Sequence, residues 1–152
     1  MMDALDGIMA VMEAAFDPKY GEAWNRRQVG DALVTPNTRF VLLDVAGGSP
    51  DDAADAAGFT LSRQTLDEEE LLLIAVAPWA RRRGVGHALM RQFLAISDGN
   101  GVTRQFLEMR AGNPAEALYL AHGFAPVGRR PNYYRSGNLG PFDAITYSRT
   151  SS

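Results

Sequence analysis

Apolar residues near the start of the chain fall at Leu5, Ile8, Met9, Met12 and Phe16, a spacing that predicts an amphipathic helix over residues 3 to 16. A second helix is predicted over 24 to 33. The pattern then changes. Residues 39 to 45 read as a strand closed by Gly47-Gly48-Ser49-Pro50, 46 to 56 as an exposed loop, and 57 to 65 and 67 to 77 as two further strands. Within the last, Leu71-Leu72-Leu73-Ile74-Ala75-Val76 shows no polar alternation, which predicts burial on both faces at a sheet centre. Helical spacing returns at Val85, Leu89, Phe93 and Ile96, so a helix is expected over 84 to 97. Asp98-Gly99-Asn100-Gly101 then marks a turn before a strand over 102 to 109.

Asn113-Pro114 predicts the start of a short helix, with Asn113 as its N-cap, Pro114 in its first position and Gly123 as its stop. Two last strands are expected near 124 to 127 and 142 to 147. Together these elements predict a single α/β domain over residues 1 to 152, with a mixed, mostly antiparallel sheet flanked by helices.

Composition narrows the chemistry. The chain has 152 residues, no cysteine and a formal net charge of −3. A disulfide framework, a thiolate zinc site and a cysteine nucleophile are thereby excluded. The acidic balance argues against direct nucleic-acid binding. No apolar run approaches the ~20 residues of a membrane span, and the N-terminal residues lack the pattern of a signal peptide. A cytoplasmic protein with no membrane partner is expected. Basic residues nevertheless cluster at Arg81-Arg82-Arg83, which suits a small anionic ligand.

That cluster lies between a buried strand and a helix, in Ile74-Ala75-Val76-Ala77-Pro78-Trp79-Ala80-Arg81-Arg82-Arg83-Gly84-Val85-Gly86-His87. The first N–H groups of a helix lack internal partners and meet the positive end of its dipole, and glycines let a diphosphate approach them. A plain loop with a solvated basic run has the same pattern. A dinucleotide fold is disfavoured, because the third glycine of its motif would fall on Leu89.

Arg81-x-x-Gly84-x-Gly86 after Val76-x-Pro78 resembles the acetyl-CoA motif of the GNAT superfamily. The resemblance continues through Leu107-Glu108-Met109-Arg110-Ala111-x-Asn113, Ala117-Leu118-Tyr119, Gly123-Phe124 and Arg129-Arg130-x-Asn132-Tyr133-Tyr134, in the manner of the RimI branch. It implies the GNAT acyl-CoA N-acyltransferase fold, with acetyl-CoA as cosubstrate and a protein N-terminus, an alanine-first ribosomal protein, as acceptor. It further implies that N–H groups from Arg82, Arg83, Gly84, Val85, Gly86 and His87 hold the pyrophosphate. The strand at Ile74, Ala75 and Val76 would bind the pantetheine arm.

Direct transfer from a thioester needs a base for the amine and a proton for the departing thiolate. Glu108, a carboxylate in an otherwise apolar strand, is the first choice for base, as the resemblance also implies. Glu70, at the start of the central strand, is its rival and reads equally as part of a solvated acidic run. Tyr119 is the expected acid, although it shares a packing face with Ala115 and Leu118. Asn113 is expected to touch the cofactor as well as cap its helix. Tyr133, Tyr134 and Arg129, with Arg130, are expected to shape the acceptor side. His87 and His122 have no metal-ligand spacing, so no metal is expected. Two other readings stay open: acetylation of a small amine or lysine, and a non-catalytic acyl-CoA-binding module.

Overall fold

The computed structural model describes residues 3–17, 22–134 and 141–150. Helix α1 (Ala4–Ala15) starts at Asp3, whose carboxylate accepts from the Leu5 N–H at 3.0 Å. Helix α2 (Arg26–Leu33) starts two residues later than the apolar pattern suggests, because Asn25 and Gln28 form a reciprocal capping box and leave Trp24 outside.

Six strands form one sheet: β1 (Thr38–Leu43), β2 (Gly58–Thr65), β3 (Glu68–Val76), β4 (Arg104–Arg110), β5 (Ala125–Tyr134) and β6 (Phe142–Thr150), in the order β1-β2-β3-β4-β6-β5. Every neighbouring pair is antiparallel except β3 and β4, which run parallel. Helix α3 (Val85–Gly99) makes the crossover between those two, as a parallel pair requires. The short helix α4 (Glu116–Ala121) leads from β4 to β5.

Two apolar layers sandwich the sheet. On one face Ile8, Met12 and Val29 of α1 and α2 meet Leu42, Phe59 and Leu61. On the other Met90, Phe93 and Leu94 of α3 pack with Leu71, Leu107 and Tyr147, and Tyr119 of α4 joins them.

An irregularity in β3 marks the point where the sheet parts. Leu61 pairs with Leu73 but Ser62 pairs with Leu71, so Leu72 is an extra residue with no opposite number on β2. A bulge of this kind bends its strand and sharpens its twist. Parallel pairing with β4 covers only Glu68↔Arg104, Glu69↔Gln105 and Glu70↔Phe106, immediately before the bulge. Beyond that point β3 and β4 diverge, and a cleft opens between them.

The sheet edge at β5 differs from expectation in length. It runs on to Tyr134 through Arg129-Arg130-Pro131, broken by irregularities between Pro126 and Gly128 and between Arg130 and Tyr134. Proline and bulges are tolerated there because, among the described residues, β5 has no outer neighbour.

Candidate active site

Two cavities occupy the opening between β3 and β4. The larger, about 640 Å³, is bounded by Ile74, Ala75 and Val76 on β3, by Arg81 and by Gly112 and Pro114 beyond β4. The other, about 340 Å³, is bounded by Trp24 and Gln28 of the α2 region, Leu71 to Leu73, Glu108 and Tyr134. Phe16, Glu22, Ile74, Asn113 and Tyr119 line both, so the cavities meet at those side chains. The expected residues Ile74, Ala75, Val76, Arg81, Asn113, Glu108, Tyr119 and Tyr134 therefore do converge on one space.

The turn before α3 has the features of an anion cradle. Gly84 caps the helix in the left-handed region, at φ 79°, with no side chain capping the helix N-terminus. Arg82 shares that unusual conformation, at φ 64°. The first-turn N–H groups of Val85, Gly86 and His87 are thus left without internal acceptors. Gly86 lets this turn sit against α4, since a Cβ there would lie 3.4 Å from Leu118. Arg81, Arg82 and Arg83 are exposed beside it, and Arg81 Nη2 reaches the Ala15 carbonyl at 3.2 Å across the larger cavity's rim.

His87 does more than lend its N–H. Its Nδ1 lies 2.9 Å from Nε2 of His122, so the turn is joined to the end of α4. Burial, and then His87, Arg91 and Arg149, hold the His122 imidazole below its ordinary pKa. Among the described residues no group of three or more potential ligands surrounds a metal position.

Glu108 lines the smaller cavity with its side chain 20% exposed. It accepts from the Thr146 hydroxyl at 3.3 Å and pairs with Arg130 Nε at 3.4 Å. Arg110, two residues along the strand, pairs through its Nε with Glu22 at 3.2 Å. Glu70 stands just outside the lining. Burial, reinforced by the negative charge of Glu108 and opposed by Arg63, raises its carboxyl above the ordinary range.

Tyr119 is buried at 6% exposure, and burial foremost, with Glu22, Tyr134 and Tyr147 adding to it, pushes its phenol well above its usual pKa. Such a phenol stays protonated throughout the neutral range. Tyr134 is half-buried in the smaller cavity, its phenol pushed up to about 12 by burial, then Glu108 and Glu22.

Two expectations need correction, and a third residue takes an indirect place. Asn113 is not the N-cap of α4: its Oδ1 accepts from the Ala115 N–H at 2.9 Å and its carbonyl from the Glu116 N–H at 3.2 Å. This turn uses up Pro114 and Ala115, and the helix starts at Glu116. Arg129 does not face the cleft. Strand alternation turns it to the opposite side from Arg130, where its Nε binds Asp143 at 2.7 Å. Tyr133, about half exposed, lines neither cavity but lies under the Arg130 guanidinium at 5.0 Å.

Residues 36–126 match the acetyltransferase (GNAT) domain family. The chain belongs to that family. It is 40% identical over 90 residues to the [ribosomal protein bS18]-alanine N-acetyltransferase of Escherichia coli strain K12, a match covering 59% of this chain and 60% of that protein. The matched region thus spans under two thirds of that relative's length. A longer match, 35% identical over 137 residues and covering 89% of this chain and 77% of the other, joins it to N-alpha-acetyltransferase RimI of Mycobacterium tuberculosis. Among solved structures, the ribosomal-protein-S18-alanine N-acetyltransferase of Escherichia coli superposes with a TM-score of 0.77 at 27% identity, covering 93% of this chain and 84% of that one.

The mixed six-stranded sheet is thus a GNAT fold, and its parted strands lie where the resemblance placed the pantetheine arm. The resemblance gave no role to Phe16 or Glu22. Both come from the stretch between α1 and α2, and Glu22 finds Arg110 across 88 positions of sequence. The one signal available was an acidic residue beside Trp24 in a segment that otherwise reads as a connection.

Proposed function

We propose that this protein transfers the acetyl group of acetyl-CoA to the N-terminal α-amine of a protein, with an alanine-first ribosomal protein as acceptor. The observation that carries this reading is the meeting of two cavities at Tyr119 and Ile74. One is walled by the part of β3 beyond its pairing with β4 and by the arginine turn, and the other contains a carboxylate. The larger accepts the pantetheine arm along Ile74, Ala75 and Val76, while the turn from Arg82 to His87 takes the pyrophosphate. The smaller admits the amine.

Acetyl-CoA brings the activated thioester. The chain's own residues then manage protons. Glu108 takes one from the incoming ammonium, directly or through water, with Glu70 as the carboxyl behind it. The amine nitrogen bonds to the acetyl carbon as the carbon–sulfur bond breaks, the nitrogen sheds its second proton to water, and Tyr119 gives its hydroxyl proton to the thiolate and regains one from solvent. An α-amine, with a reference pKa of about 7.7–8.0 against about 10.4 for lysine, asks less of such a base. No cysteine is present to route the acetyl group through the enzyme.

Similarity to relatives named for bS18-alanine acetylation supports the choice of acceptor. The test is thiol release from acetyl-CoA over free N-terminal peptides, lysine peptides and polyamines. Turnover confined to free N-termini is expected; turnover confined to the other amines would overturn the acceptor assignment, and acetyl-CoA binding without turnover would favour a binding module.

A further inference from the structure

Arg129 and Arg130 are adjacent in the chain and serve opposite faces of the sheet. Arg130 lies across from Ala144, two residues along β6 from Thr146 and so on the same face, and Thr146 is opposite Glu108. The side chains of Arg130, Thr146 and Glu108 accordingly gather on one face, where Glu108 lines the smaller cavity and the other two contact it.

We propose that Arg130 and Glu108 form a two-point specificity site, in which Glu108 receives the acceptor's ammonium and Arg130 the carbonyl oxygen of the same residue. This rests on the acetyl-transfer reading above and deepens it, by naming what separates an N-terminus from other amines.

The geometry suits a dipolar partner. A positive and a negative group stand 3.4 Å apart, and the arginine is 61% exposed, so it can reach a ligand entering from solvent. In an amino-terminal residue the nitrogen and the carbonyl oxygen are held about 3 Å apart by covalent geometry. A lysine ε-amine or a polyamine has no carbonyl at that separation. The contact to Glu108 runs through Nε, which leaves the outer donors of the guanidinium fork for a second oxygen.

The pair is also braced. Thr146 holds Glu108 from below at 3.3 Å, and the Tyr133 ring supports the guanidinium, itself set edge-on against Tyr134 at 5.4 Å. Tyr133 thereby has a place in the site although it lines neither cavity.

The experiment compares wild type with R130Q and R130K on two acceptors, alaninamide and isopropylamine, which share the amine and methyl group but differ in the carbonyl. Each acceptor is judged by its own variant-to-wild-type ratio of kcat/KM, which cancels the difference in amine basicity. Loss of a charge-assisted hydrogen bond should cut the alaninamide ratio by about tenfold or more, through KM, and the isopropylamine ratio by clearly less. R130K should recover part of the loss. Equal losses on both acceptors, or none on either, would overturn the proposal.

The affinity of an alanine-first peptide for the CoA-loaded protein gives a second reading that needs no turnover. It should weaken by a similar factor in R130Q, and an unchanged Kd also counts against the proposal. Failure of the acceptor assignment itself shows differently, as wild-type preference for lysine peptides or polyamines before any variant is made.

Discussion

Glu70 and Glu108 occupy the same face of the sheet on strands that part company between them: Glu70 is the last β3 residue paired with β4, opposite Phe106, and Glu108 lies two residues further on. One carboxyl is therefore at the closed end of the cleft and the other inside it. Glu108→Gln should lower kcat by about 10²–10⁴-fold, the usual worth of a positioned acid or base, while the Kd for acetyl-CoA stays nearly unchanged. A wild-type rate would transfer the role to Glu70 or to water.

For Glu70 the sign of the pH effect can be worked out. Burial, and next the charge of Glu108, raise its folded pKa above the unfolded reference of 4.5. The folded protein holds this proton more tightly than the unfolded chain does. Its contribution to stability is therefore complete below the unfolded pKa and is lost as pH rises through the raised value. Glu70→Gln removes that loss and should raise Tm at pH 7 relative to wild type, with the difference disappearing in acid. Thermal melts across pH check it.

Tyr119→Phe keeps the ring that packs against Phe124 and Tyr147 and deletes only the hydroxyl. The expected result is a Tm close to wild type, unchanged acetyl-CoA affinity and a kcat lower by about 10²–10⁴-fold. A large fall in Tm with normal turnover would instead assign the residue to packing.

At Gly84 the backbone lies in the left-handed region, and a Cβ added there would meet no atom within 4 Å. Gly84→Ala thus meets no clash, only the conformational cost, about 1–2 kcal/mol. Part should appear as lower stability. The remainder should appear as weaker acetyl-CoA binding if the turn relaxes away from its cradle form. Calorimetry with and without CoA separates the two.

His122 is expected to make the protein sensitive to mild acid. Its folded pKa lies below the unfolded value of 6.5, because burial and then His87, Arg91 and Arg149 disfavour its proton. The stability it confers is present above that unfolded value and is lost as pH falls toward the folded one. His122→Gln should narrow the gap between melting temperatures at pH 7.5 and pH 5.5. An unchanged gap would show that the folded protein does not hold the His122 imidazole below its ordinary pKa.

Much of this molecule was legible in its residues, and the parts that were not share a cause. The apolar run through Leu71–Val76 identified the central strand, and the spacing of Val85, Leu89 and Phe93 identified α3, because both signals are local. Glu108 was conspicuous as a charge within an apolar strand. Choosing Arg130 over Arg129 for the cleft required the parity of β5, which irregularities on either side of this pair conceal. Asn113 before Pro114 had two uses for its side chain, and the tighter turn to Ala115 took precedence over the helix cap. Glu22 owes its place to Arg110, a contact that only the folded chain brings about.

The unmatched residue Leu72 has a further effect. Successive side chains of a strand point to opposite sides, so one supernumerary residue reverses that assignment for everything after it. Before it the odd-numbered Leu71 packs toward α3; after it the even-numbered Ile74 and Val76 do, while Leu73 and Ala75 turn to α1 and α2. Keep that residue but straighten the strand, and its two halves would demand opposite cores. The apolar pattern on both sides of the sheet is thus written for a chain that slips by one, and the void between β3 and β4 is maintained by the same interlock that keeps the interior closed.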